Sequence, residues 1–368
     1  MGNLKVSQSN HPSTRVPLLD VLRLAAVGGV ILYHFGFWGP ASRGVPQVAL
    51  PYLAPVAQYG FLGVPVFFAI SGFVIAYSAE GRSPVGFAIA RFCRIYPTFV
   101  LCMTLTFLGT VFIGAGHFEA TGSQWLANLL IASTIVDQPY VDGTYWSLVI
   151  EIVFYAWVTC FIAFGLFPRR IDTIIVAWLA ITLANELTID ANVVEKIFLA
   201  DDSGFFISGL LMYEYYRGRR DARLWALGAL AFGTAIFQAV HRLHWLGVHT
   251  HNTFDPNVVA VICAVALGAV FAATRIERLP IPARWTLAAG GITYPLYLLH
   301  MQLGYVIFTA TAPHRSAEIS TVAIIAAIVF IAWVIWRYFE HYTQAPLKAM
   351  LTETAGRLGI VPMKQTPR

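Results

Sequence analysis

Apolar residues run in long blocks along nearly the whole chain, with short polar connections between them. Blocks of this length match the thickness of a bilayer core, which about 20 helical residues cross. Ten segments are predicted as transmembrane helices: residues 17–38, 58–79, 95–115, 144–167, 171–188, 197–216, 222–241, 256–274, 287–311 and 318–339. The fold class expected is an all-α polytopic transmembrane bundle. A cytoplasmic N-terminal segment spans 1–16, the membrane domain 17–341 and a cytoplasmic tail 342–368. The polar start MGNLKVSQSNHPST lacks a cleavage site after the first apolar block, so that block is expected to act as its own insertion signal.

Composition agrees: of 368 residues, 58% are hydrophobic and 12% charged, with a mean hydropathy of +0.67. That excludes a soluble domain of this size. Charge placement sets the orientation, because Lys and Arg concentrate in cytoplasmic loops. With both termini inside, 19 of the 24 Lys and Arg fall on the cytoplasmic side. Arg43, Lys196, Arg242 and Arg315 fall outside, and Arg23 lies within the first segment. The net charge of +5 is thus a product of topology rather than a nucleic-acid footprint. The four cysteines have no paired spacing, and no phosphate loop, dinucleotide fingerprint or nucleophile elbow occurs. No metal site is expected; the histidines of HRLHWLGVHTH (His241, His244, His249, His251) read as an outer loop.

Ionisable residues inside apolar segments are costly and mark function. Arg23 and His34 are eleven residues apart in the first segment. In a helix that is about three turns and about 16 Å, so both share a face at different depths. A cation near one end suits an anionic cofactor, and a deeper imidazole suits a base. Glu151 stands among Leu148, Val149, Ile150, Ile152 and Val153, with Tyr155 one turn on. It needs a polar partner, and His34 is the candidate it would orient. Arg91 and Arg94 share a helical face beside the membrane and suit phosphate. In GFLGVPVFFAISGFVIAYS, the small residues Gly60, Gly63, Ser71 and Gly72 read as close-packing positions, and Pro65 as a kink. Trp146 sits at the expected outer interface. Thr293, Tyr294, Tyr297 and His300 bring polar atoms into the ninth segment, where Pro295 is expected to break the ladder. Arg337 with Glu340, and Glu214 with the basic loop after it, read as local ion pairs.

These segments, in this order, resemble the acyltransferase-3 family of integral membrane O-acyltransferases. The Arg23–His34 spacing resembles its Arg, ten residues, His motif. GFLGVPVFFAISGFVI resembles "G-x-x-G-V-x-x-F-F-x-x-S-G-F", and RFCRIYP resembles "R-x-x-R-I-x-P". WSLVIEIVFY resembles "W-S-L-x-x-E-x-x-F-Y". GGITYPLYLLH resembles "G-x-x-S-Y-x-L-Y-L-x-H", with Thr293 where Ser is common. RYFEHYTQAPLK resembles the closing "E-x-P" element, with longer spacing before Pro346. The resemblance covers most of the chain and is to stand-alone exopolysaccharide O-acetyltransferases.

The resemblance implies acyl-CoA, acetyl-CoA first, as donor on the cytoplasmic side. It implies a glycan or lipid-linked sugar hydroxyl as acceptor, or a small molecule such as a macrolide. It places the enzyme in the bacterial inner membrane. The candidate catalytic residues are His34 as base, Glu151 and Arg23. Arg23, Arg91, Arg94, Ser71 and Tyr294 are candidates for holding the donor; Trp146, Tyr155 and His300 for holding the acceptor. Direct transfer and an acylated His34 or Ser71 are both open. The competing classes are a carrier for a lipid-linked glycan, for which no internal repeat is found, and a structural membrane subunit.

Overall fold

The computed structural model describes residues 16–42, 45, 50–114, 116–276, 278–311 and 316–360. Of the charges used for orientation, Lys5, Arg15, Arg43, Arg315, Lys364 and Arg368 lie outside the described residues, as does nearly all of the segment 1–16 and the end of the tail. Every regular element among the described residues is a helix. Among the described residues, eight helices are long and apolar enough to cross a membrane, and the chain is a multi-pass helical membrane protein.

Helix α1 (Pro17–Tyr33) runs into a wide π turn, His34–Trp38. After a 3-10 turn at Gly60–Leu62 comes α2 (Gly63–Ala79). Pro65 falls in the first turn of α2, where its missing N–H is one of the unpaired helix-start donors, so it causes no kink. Helix α3 (Pro84–Ile113) begins eleven residues before the segment expected at 95. Ser83 caps it, accepting from Gly86 N at 3.1 Å, and Pro84 supplies a preset φ. Arg91 and Arg94 therefore sit well inside a helix. The chain continues through α4 (Trp146–Ala163), α5 (Ile171–Ala184), α6 (Ser203–Tyr216), α7 (Ala222–Thr250) and α8 (Pro256–Ala273). Asp221 and Asp255 cap α7 and α8.

The expected sixth and ninth segments are helical but shorter than a full crossing. The sixth is α6, of 14 residues. The ninth is split into α9 (Ala283–Leu299) and α10 (Gln302–Thr311). Pro295 lies within α9; the break comes five residues later, at His300 and Met301. Helix α11 (Ala317–Val334) passes through another π turn, Ile335–Glu340, into α12 (His341–Arg357). Residues expected as a cytoplasmic tail are thus largely a helix, and it packs along α3.

Packing divides into two apolar clusters joined through α1. One gathers α2, α6, α7 and α8; the other gathers α3, α9, α10 and α11. Lipid is as apolar as a side chain, so close contact must hold the helices together. Gly72 of α2 and Gly209 of α6 show how: a Cβ on either would strike the other helix's backbone. Phe206 then stacks on Phe68 with ring centroids 4.8 Å apart.

Candidate active site

Two cavities lie between the clusters, and both are lined by Val64 and Tyr297. The first, of 570 Å³, is cationic. Arg23, Arg82, Arg91, Arg94 and Lys348 line it, with Glu151 as its one carboxylate among the described residues. The second, of 1450 Å³, is aromatic and acidic. Trp38, Trp146, Trp157, Trp245, Tyr33 and Tyr140 form walls, with Glu186, Glu195, Asp201, Asp202, Lys196 and Arg242 among them.

The cationic cavity collects all residues expected to hold the donor. Ser71 and Tyr155 both donate to Oε1 of Glu151, at 3.0 and 2.5 Å. Helical spacing explains Tyr155, four residues on. Ser71 comes from α2, placed there by the glycine contacts beside it. Glu151 was expected to orient His34; its hydrogen bonds go instead to Ser71 and Tyr155, on the wall of the other cavity from His34. Tyr155 was expected on the acceptor side and lines the cationic cavity. Arg23 is 3.3 Å from Asp20, one turn back. Tyr294 donates to the Ile95 carbonyl at 3.1 Å.

Glu340 does not pair with Arg337. It contacts Arg94 at 2.8 Å and accepts from Thr98 at 3.0 Å. The π turn that ends at Glu340 widens the helix and aims this carboxylate at α3 rather than along its own helix. Arg94 is therefore held at the cavity rim by α11's far end. Glu214 does meet the basic loop, 3.5 Å from Arg217 and 3.9 Å from Arg219. Sequence reasoning missed Arg82, Gln344 and Lys348, which it placed in a loop and a tail. Two donors in this cavity, Arg91 Nε and Gln344 Nε2, are buried with no hydrogen-bond partner among the described residues. Buried donors of that kind call for an acceptor-rich ligand.

His34 faces the aromatic cavity. Its carbonyl accepts from Gly39 N, closing the π turn, and from the Tyr305 hydroxyl at 2.8 Å. Gly39 is required here: a Cβ would come within 2.9 Å of both the His34 carbonyl and the Tyr305 hydroxyl. One-turn π stretches of this kind recur at functional positions because they turn a side chain out of helical register. Trp146 also lines this cavity, half exposed, with the Arg242 guanidinium over its ring at 5.8 Å. Arg242 is 2.8 Å from buried Asp202. Asp201, in the turn ahead of α6, has its pKa pushed from 3.8 to about 6 by burial and then by Glu195. His300 lines neither cavity. It is fully buried behind His34, with ring centroids 5.1 Å apart. Tyr297 marks the junction, its hydroxyl 2.7 Å from that of Ser147.

No group of three or more His, Cys, Asp or Glu among the described residues could hold a metal ion. In the outer histidine segment, His249 stacks on Trp245 with centroids 4.0 Å apart; the segment is part of α7 rather than a loop.

The sequence model of an acyltransferase domain, that of the acyltransferase-3 family, matches residues 16–337. Among curated proteins, the chain is similar to the acyltransferase MdmB of Streptomyces mycarofaciens, 31% identical over a stretch covering 38% of this chain and 38% of that protein. The chain thus matches well under half the length of that relative. No solved structure matches.

Proposed function

Since the chain belongs to the acyltransferase-3 family, we propose that it is a membrane O-acyltransferase that moves an acyl group, acetyl first, from acyl-CoA to a hydroxyl of a glycan or lipid-linked sugar. The observation that carries this reading is the pair of cavities of opposite character meeting at Val64 and Tyr297. A cation-lined cavity suits the phosphates of acyl-CoA, which Arg binds in a bidentate fork. An aromatic cavity with scattered acids suits a sugar. The donor side is the cytoplasm, where most Lys and Arg fall, in a bacterial inner membrane.

The acceptor hydroxyl attacks the thioester carbonyl carbon. A C–O bond forms and the C–S bond breaks. His34, on the acceptor side, takes the hydroxyl proton and returns it to the leaving sulfur, so CoA departs as a thiol. Arg91, Arg94, Arg23, Arg82, Lys348 and Gln344 hold the donor. The Ser71–Glu151–Tyr155 network keeps the one carboxylate of the donor cavity hydrogen-bonded, which limits its repulsion of phosphate. Ser71 hydrogen-bonded to a carboxylate also keeps an acyl-serine route in play. A small hydroxylated molecule is the alternative acceptor, favoured by the size of the aromatic cavity.

Membranes carrying wild type or His34→Ala are incubated with labelled acetyl-CoA and an exopolysaccharide or lipid-linked sugar fraction. Label reaching the glycan with wild type only is the expected result. Transfer that survives in His34→Ala removes His34 as the base. No label from wild type, with any acyl-CoA offered, favours the carrier reading.

A further inference from the structure

His300 is fully buried, and the chemistry of its ring is set by one contact. Its Nδ1 lies 2.7 Å from the Tyr297 carbonyl oxygen. A carbonyl only accepts, so Nδ1 carries the hydrogen and Nε2 presents a bare lone pair. That Nε2 is buried with no hydrogen-bond partner among the described residues. A buried acceptor left unpaired carries a desolvation penalty, retained where the group has a function.

The ring beside it is that of His34, at 5.1 Å between centroids and a 54° tilt. Two imidazoles joined nitrogen to nitrogen sit at about this separation, and hydrogen bonds of a resting site commonly tighten only when substrate arrives. His300 is held at the gap between α9 and α10. Its backbone N–H bonds Leu296 O at 3.1 Å. Two residues on, Gln302 N donates to buried Asp142 at 2.8 Å. His34, Tyr297 and Asp142 are the titratable groups that act on it, from the π turn after α1, from α9 and from the loop before α4. The ring therefore has little freedom to turn.

We propose that His300 is the positioning residue of His34: its Nε2 accepts the N–H of one His34 ring nitrogen, so the other nitrogen presents its lone pair to the acceptor hydroxyl. When His34 takes the hydroxyl proton, the resulting cation keeps its second N–H on His300, which stays neutral on the Tyr297 carbonyl. No proton passes to His300. A buried carboxylate does this work in hydrolase triads; here Glu151 is engaged elsewhere and a neutral imidazole takes the place. The inference rests on His34 being the base.

Two measurements test it. In protein labelled with ¹⁵N-histidine and held in lipid, solid-state NMR reads each ring's tautomer without any acceptor. His300 is expected neutral with hydrogen on Nδ1, and the His34 tautomer ratio is expected to change in His300→Phe. A His300 ring protonated at Nε2, or a His34 spectrum untouched by His300→Phe, overturns the proposal. In the labelled acetyl-CoA assay, His300→Phe is expected to lower kcat about 10–100-fold with donor KM unchanged. His300→Gln is expected to recover most of this, because its amide oxygen accepts the same N–H. Equal losses in both variants, or a rise in KM instead of a fall in kcat, assign His300 a packing role. A silent His34→Ala with a fully active His300→Phe sinks this inference alone; an active His34→Ala sinks the reading beneath it.

Discussion

The two cavities share a wall yet are built on different rules. The cationic one draws five basic side chains toward a single carboxylate among the described residues, and two donors of its lining residues are buried with no hydrogen-bond partner there. The aromatic one is more than twice as large and sets four carboxylates against Lys196 and Arg242, with Arg242 2.8 Å from Asp202. A surplus of one sign favours a ligand of the other sign. Scattered acids among flat rings favour a hydroxyl-rich surface that donates to the carboxylates and is held by shape and stacking. The difference teaches where each substrate's binding energy is expected to come from: electrostatics on one side, aromatic contact on the other.

The largest expected effect lies in the wall of the aromatic cavity. His34→Ala is expected to reduce transfer about 10²–10⁴-fold, the range for losing a general base, while labelled acetyl-CoA binds as before. A matching loss of donor binding would merge the two cavities into one site. Next, Arg91→Ala is expected to weaken acetyl-CoA about 10–100-fold, from the 1.5–3 kcal/mol of a charge-assisted hydrogen bond, leaving acceptor KM unchanged. The reverse pattern, acceptor weakened and donor not, would exchange the roles of the cavities. Trp146→Ala is expected to raise acceptor KM about two- to tenfold, the worth of an aromatic contact, with donor binding intact.

The smallest effect concerns Asp201, whose folded pKa of about 6 stands above its ordinary 3.8. Between those values the folded state holds more protons than the unfolded one, so stability falls as pH rises across this window. Melting in detergent from pH 4 to pH 7 is expected to show that decline, and Asp201→Asn to flatten it. An unchanged slope in the variant would mean that burial in the aromatic cavity does not govern this carboxylate.

Much of the membrane layout was legible from apolar runs, because a bilayer imposes a length on any helix that crosses it. Arg23, His34 and Glu151 stood out for the same reason: lipid gives polar groups no partner. What was not legible depends on contact between distant segments. Ser71 and Glu151 are 80 residues apart, and only the glycine seam of α2 against α6 aligns them. The start of α3 at Ser83–Pro84 was signalled by its cap, but Arg91 and Arg94 lowered the local hydropathy and hid it. The π turns at His34 and Glu340 leave no periodic trace. Glu340 therefore read as a partner for Arg337 when it reaches Arg94 on α3.

Helix α12 carries the last consequence. Gln344, Ala345 and Lys348 complete the wall of the cationic cavity, and they follow every other residue of that wall in chain order. Ribosomes make proteins from the first residue to the last. A chain threaded into the bilayer up to α11 has His34 and the aromatic walls but a cationic cavity open along one side. The order of synthesis thus acts as a safety catch: the cationic cavity is closed on all sides only after α12 has been made.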